Sequence, residues 1–86
     1  MIRVVKLERP LYGLASLGFS YALRDAARTI PGLTWSRSVR AWVGYADAVA
    51  AAADLLESRG VQVQERKRLP IPGVWGEPLI PIADQA

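Results

Sequence analysis

Residues 30–43 constrain the fold most. They read Ile30-Pro31-Gly32-Leu33-Thr34-Trp35-Ser36-Arg37-Ser38-Val39-Arg40-Ala41-Trp42-Val43. Pro31 disfavours helical geometry at Ile30, and Gly32 completes the stop, so a helix ends here. Two short runs that suit strands follow, residues 33–36 and 40–45. The link between them, Arg37-Ser38-Val39, is short enough for direct antiparallel pairing. A new helical pattern begins at Ala46. The segment therefore predicts helix, stop, β-hairpin and helix in succession, with two tryptophans flanking a basic turn.

The flanks extend this order. Residues 2–8 mix aliphatic and charged side chains and read as a strand, which Arg9-Pro10 ends because proline has no amide to donate. Residues 11–18 are apolar but hold Gly13 and Gly18, and fit either a second strand or a packed loop. Ser20 is placed to cap a helix, with Phe19 before it as a hydrophobic staple. Leu23, Ala26, Ala27 and Ile30 form that helix's apolar face. The second helix is expected over residues 46–58, with Val49, Ala52, Ala53, Leu55 and Leu56 on its buried stripe and Gly60 as C-cap. Residues 61–66 alternate as a half-buried strand. The expected fold class is α/β (α+β), a small two-layer sandwich in the order β(β)αββαβ. Its two helices pack on one face of an antiparallel or mixed sheet. Residues 1–68 form the domain. Residues 69–86, with Pro70, Pro72, Pro78 and Pro81, form a tail or linker.

Composition excludes several functions. Eighty-six residues suit one domain of modest core. Cysteine and histidine are both absent, which removes disulfides, thiolate chemistry and the commonest metal ligand and proton carrier. No catalytic residues, metal or cofactor are expected, and the chain is not read as an enzyme. No run approaches the ~18 apolar residues of a membrane span, nor does the N-terminus resemble a signal peptide. A cytoplasmic, membrane-free protein is expected. The net charge is +3, and nine of the eleven basic residues are arginine. Such a bias suits bidentate phosphate contacts and stacking, and equally suits a genome that encodes arginine in place of lysine.

Strand alternation predicts what the helix-free face of the sheet holds. If Leu33, Trp35, Val39, Ala41, Val43, Val61 and Val63 face the helices, then Thr34, Ser36, Arg40, Trp42, Gln62, Gln64 and Arg66 face outward. Indole stacks on bases, arginine neutralises phosphate, and amides reach sugars or base edges. The expected nucleic-acid-binding residues are Arg37, Arg40, Trp42, Gln62, Gln64, Arg66, Lys67 and Arg68. Each has a plainer reading. Trp42 suits the core if a bulge turns it inward, and Arg66-Lys67-Arg68 suits a solvated junction.

The pattern of Phe19, Ile30-Pro31-Gly32, Trp35, residues 37–40, Trp42-Val43, Leu55-Leu56 and Gly60 resembles that of HARP-like N-terminal domains. These precede the motors of annealing helicases and of bacterial and phage helicases acting on branched DNA in replication and repair. The resemblance covers residues 19–63. It implies an accessory domain that helps a motor engage single-stranded or forked DNA. Ser36 stands where an acidic residue is common, and Gly44-Tyr45 replaces the usual aliphatic-proline ending. The sequence has no GxxxxGK[ST] phosphate loop, so a motor must lie elsewhere. The chain is either an excised domain or a free-standing relative, and either a monomer or a weak dimer. An alternative reading is a protein–protein or homodimerisation module that uses a sheet edge and the apolar tail, with Trp75.

Overall fold

The computed structural model describes residues 1–70. Five strands and two helices alternate along them: β1 (Ile2–Lys6), β2 (Leu11–Ser16), α1 (Tyr21–Thr29), β3 (Thr34–Ser36), β4 (Ala41–Tyr45), α2 (Ala46–Ser58) and β5 (Val63–Gln64). A single 3₁₀ turn, Arg66–Arg68, follows. The strands form one sheet in the order β3-β4-β2-β1-β5. Neighbours are antiparallel except β5, which runs parallel to β1. The sheet is therefore mixed, and the residues left open between strand and loop, 11–18, supply its central strand.

Both helices pack on one face and enclose the core. Ile2, Val4, Leu14 and Val63 from the sheet meet Leu23 and Ala26 of α1 and Val49, Ala52, Ala53 and Leu56 of α2. Alanine suits this layer, because small side chains let the helices approach the short sheet closely while favouring helix. Leu69 is also buried in this core. The domain thus extends one residue past the boundary at residue 68 that composition suggested. The tail residues with apolar potential, Trp75 among them, lie outside the described residues. No helix among the described residues is long and apolar enough to cross a membrane.

Local signals end the helices where expected. The Ser20 hydroxyl accepts the Leu23 amide at 3.2 Å, and the Ile30 amide still bonds Ala26 before Pro31 breaks the run. At the end of α2, Gly60 has φ +83. The amide of Gly60 bonds the Glu57 carbonyl and that of Val61 bonds the Leu56 carbonyl, each at 3.0 Å, closing the last turn as a Schellman motif. Phe19 does not act as a staple. It is exposed and meets Tyr21 edge-on, with ring centroids 4.6 Å apart.

The hairpin differs from expectation by one residue, and that residue matters. The turn holds four residues, 37–40, and Ser36 pairs with Ala41. Arg40 closes the turn in the left-handed region at φ 53 instead of opening β4. A three-residue link would have set Trp35 beside Ala41. The four-residue turn sets Trp35 directly opposite Trp42. A slip of one residue exchanges the faces of a strand, so every face assignment in β4 inverts. Trp42 joins the row Val4, Leu14, Trp42, Trp35 on the helix side, and Ala41 and Val43 turn to the other face.

Candidate nucleic-acid interface

The sheet face that no described element covers is aliphatic and small. Val5, Gly13, Val43 and Thr34 form one row across it, with Arg3 and Gln64 paired at its far edge. Of the residues expected there, Thr34, Ser36 and Gln64 are in place. Trp42 is on the opposite face, Arg40 is in the turn, Gln62 is exposed ahead of β5, and Arg66 lies beyond the strand. The expected stacking platform on the open face does not form.

Three of the expected basic residues lie together at the other end of the molecule. The strand of residues 61–66 stops at Gln64, because Glu65 takes φ 61 and the chain turns into the 3₁₀ segment. This turn carries Arg66 to α2. Its guanidinium donates to Asp54 at 2.7 Å and to Glu57 at 2.8 Å. The bond to Asp54, ahead of that to Glu57, raises the Arg66 pKa against the opposing effect of partial burial. Arg68 bonds Glu65 at 3.3 Å, and Lys67 is exposed. Arg66 therefore ties the 3₁₀ turn to α2 through Asp54 and Glu57, while Arg68 pairs with Glu65 within the turn.

The aromatic and basic groups converge instead beside α1. The β2–α1 connection leaves the sheet at Ser16, whose hydroxyl donates to the Gly18 carbonyl at 2.6 Å. Gly18 turns the chain at φ +80, and Ser20 then caps the helix. Facing this connection is the hairpin, its turn tied by a 3.2 Å bond between the Ser36 and Ser38 hydroxyls. Between the two lies an open cleft of about 500 Å³ bounded by Ser16, Gly18, Phe19, Leu23, Trp35, Arg37 and Arg40. It continues into a recess of about 220 Å³ that reaches Ser20, Arg24 and Trp42.

The two tryptophans divide the work of this cleft. Their rings lie 5.6 Å apart at 59°. Trp42 packs on the core and supports Trp35, which is 46% exposed. The sequence assigned these roles the other way round. Trp35 shares a face with Leu33, as expected, but β3 is the edge strand, and no strand beyond it covers the ring. Arg24, Arg37 and Arg40 make no ion pair among the described residues, and no described carboxylate lines the cleft. The first turn of α1, which opens on the recess, carries no acidic residue, so the positive end of its dipole adds to the field.

Sequence reasoning named Arg37, Arg40 and Trp42 in this cluster but missed Arg24, Phe19 and Trp35 as lining groups. Nothing in the sequence says which loop the Arg24 side of α1 meets. No group of three potential metal ligands occurs among the described residues. Compared with protein-family models, with curated proteins and with solved structures, the chain matches none at a significant level.

Proposed function

We propose that this domain binds single-stranded nucleic acid in the cleft between α1 and the β3–β4 hairpin. The observation that carries the reading is a half-exposed indole, Trp35, flanked by three arginines that have no carboxylate partner among the described residues. An unpaired base stacks on the indole, a contact worth about 1–3 kcal/mol. Arg37 and Arg40 from the turn, with Arg24 from α1, take the flanking phosphates. A cleft of this size admits a splayed nucleotide, whereas duplex bases are paired and stacked among themselves. The resemblance at residues 19–63 supports a role as accessory to a motor on branched DNA.

Fluorescence anisotropy with a labelled oligothymidylate and its RNA counterpart, at 50 and 200 mM salt, tests the reading. Binding is expected with Kd on the order of 10⁻⁶ M at low salt and weaker at high salt. Trp35→Ala and Arg37→Ala each lose affinity while circular dichroism stays native. Absence of binding by the folded protein at 50 mM salt, or full affinity in Trp35→Ala, overturns it.

A further inference from the structure

The central strands of the sheet are apolar on both faces. Toward the helices β2 presents Tyr12 and Leu14, and β4 presents Trp42. Away from them β2 presents Leu11, Gly13 and Ala15, and β4 presents Ala41, Val43 and Tyr45. Neither strand holds a charged residue. An antiparallel sheet with one face in water alternates apolar and polar side chains, whereas strands apolar on both sides belong to sheets covered on both. Polar groups border this face, with Thr34 and Ser36 on one side and Arg3 and Gln64 on the other. An apolar centre inside a polar rim is the form of a buried interface.

The face also has a shape. A Cβ at Gly13 would meet Val5 Cγ2 at 3.0 Å and the Ala41 Cβ at 3.3 Å. Gly13 and Ala15 thus floor a shallow trough along β2, with Val5 and Val43 on either side. At one end it opens into a hollow of about 60 Å³ bounded by Met1, Arg3, Ala15, Ser16 and Leu17.

The chain itself carries an occupant. Residues 71–86 lie outside the described part, and their sequence supplies Val74, Trp75, Leu79, Ile80 and Ile82. Leu69 is anchored in the core, and the chain leaves just past β5, beside the Arg3–Gln64 border of this face. The trough floor lies two strand spacings away, about 10 Å, and β2 is about 20 Å long. Twelve residues in the extended form that Pro72, Pro78 and Pro81 favour reach about 37 Å, enough to cross to β2 and run its length. All eleven basic side chains precede residue 71, and the only charged side chains after it are Glu77 and Asp84. The segment is therefore drawn to the domain, with Arg3 at the rim of the trough. A tethered segment meets the face at an effective concentration on the order of millimolar. A second copy would lack that advantage and would leave the tail's own apolar side chains in water. We infer that residues 74–82 fold back across the open face, with the Trp75 ring over Gly13 between Val5 and Val43. The trough and the nucleic-acid cleft are on opposite faces, so this inference stands apart from the function proposed above.

Methyl NMR spectra of the full chain test it. Nuclear Overhauser effects are expected from the Trp75 indole to the methyls of Val5 and Val43. Trp75→Ser is expected to move those methyl resonances and to leave those of Val4 and Val49, in the core, in place. Stability gives a second reading. Val43→Gln in the wild-type chain is expected to lower Tm by about 5 °C, but by no more than ~2 °C in the Trp75→Ser background, where the position is already open to water. Val5 and Val43 resonances that ignore Trp75→Ser overturn the inference, and so do equal Tm losses in the two backgrounds. Shifts confined to Leu23 and the Trp35 indole assign the tail to the cleft and overturn it. Trp75-dependent dimers by light scattering, with concentration-dependent Val43 shifts, assign the face to a second copy and also overturn it.

Discussion

Trp35 and Trp42 lie opposite each other in the same pair of strands, yet their substitutions should do different things. Trp42 packs against the buried row of Val4 and Leu14, so Trp42→Ala opens a cavity under the hairpin. We expect a loss of about 3 kcal/mol, which for a domain this small lowers Tm by more than ~10 °C. We expect Trp35→Ala to forfeit mainly the ring–ring contact, about 1 kcal/mol, and to weaken binding by the proposed stacking contact, about 1–3 kcal/mol. Thermal melts followed by circular dichroism separate the two. A melt of Trp42→Ala within a few degrees of wild type would contradict the assignment of Trp42 to the core. Gly44 is the other position with no latitude. A Cβ there would overlap the Gly32 carbonyl and come within 2.8 Å of the Leu33 side chain. Gly44→Ala must therefore push the helix stop away from β4, and it should lower Tm even though it removes no contact.

At the scale of the element, the hairpin turn carries both strain and two arginines of the proposed binding cleft. Arg40 occupies the left-handed region at φ 53, a conformation that costs a branched or long side chain about 1 kcal/mol. Arg40→Gly is expected to raise Tm by several degrees while weakening nucleic-acid binding. Stability gained with affinity retained would show that Arg40 touches no phosphate. The same turn explains what the sequence could and could not reveal. Ser20, Gly60, the two helices and the stop at Pro31-Gly32 were legible because each rests on local chemistry within one or two turns of chain. The hairpin was legible as an element, but its face was not. Face depends on whether the turn holds three residues or four, and an arginine at positive φ gives no compositional sign of it. Strand β5 was overextended for a related reason. Alternation continues through residues 61–66, but Glu65 at φ 61 ends the strand, and the carboxylates that draw Arg66 aside lie on another element. The β4–α2 junction offers one further test. Tyr45 is the N-cap of α2 and makes no capping hydrogen bond from its side chain. Tyr45→Ser, in the same extended backbone, should stabilise the domain by about 1 kcal/mol and leave binding untouched.

Across the whole molecule six of the nine arginines fall into two groups that composition cannot distinguish, with Arg3, Arg9 and Arg28 in neither. Arg59, Arg66 and Arg68 reach carboxylates, whereas Arg24, Arg37 and Arg40 surround the cleft without a partner among the described residues. This division, more than the net charge of +3, sets the expected salt response. Three phosphate contacts on a single strand give a slope of about −2 in log K against log salt, so affinity falls roughly twentyfold between 50 and 200 mM. Removing one contact by Arg40→Ala should flatten the slope by about 0.7. Arg66→Ala should leave the slope unchanged. It should cost about 1 kcal/mol of stability, a modest value because its carboxylate partners are partly in solvent. The pairing with Asp54 raises the Arg66 pKa. While the two carboxylates are ionised, the arginine's contribution is therefore complete below its ordinary value and is lost only as pH rises through the raised one. Stability between neutral and mildly alkaline pH should accordingly be no steeper in wild type than in Arg66→Ala. Affinity titrations at four salt concentrations on these three proteins decide the matter. A slope that flattens equally in Arg40→Ala and Arg66→Ala would mean that charge acts diffusely over the surface, and the cleft would lose its claim as the binding site.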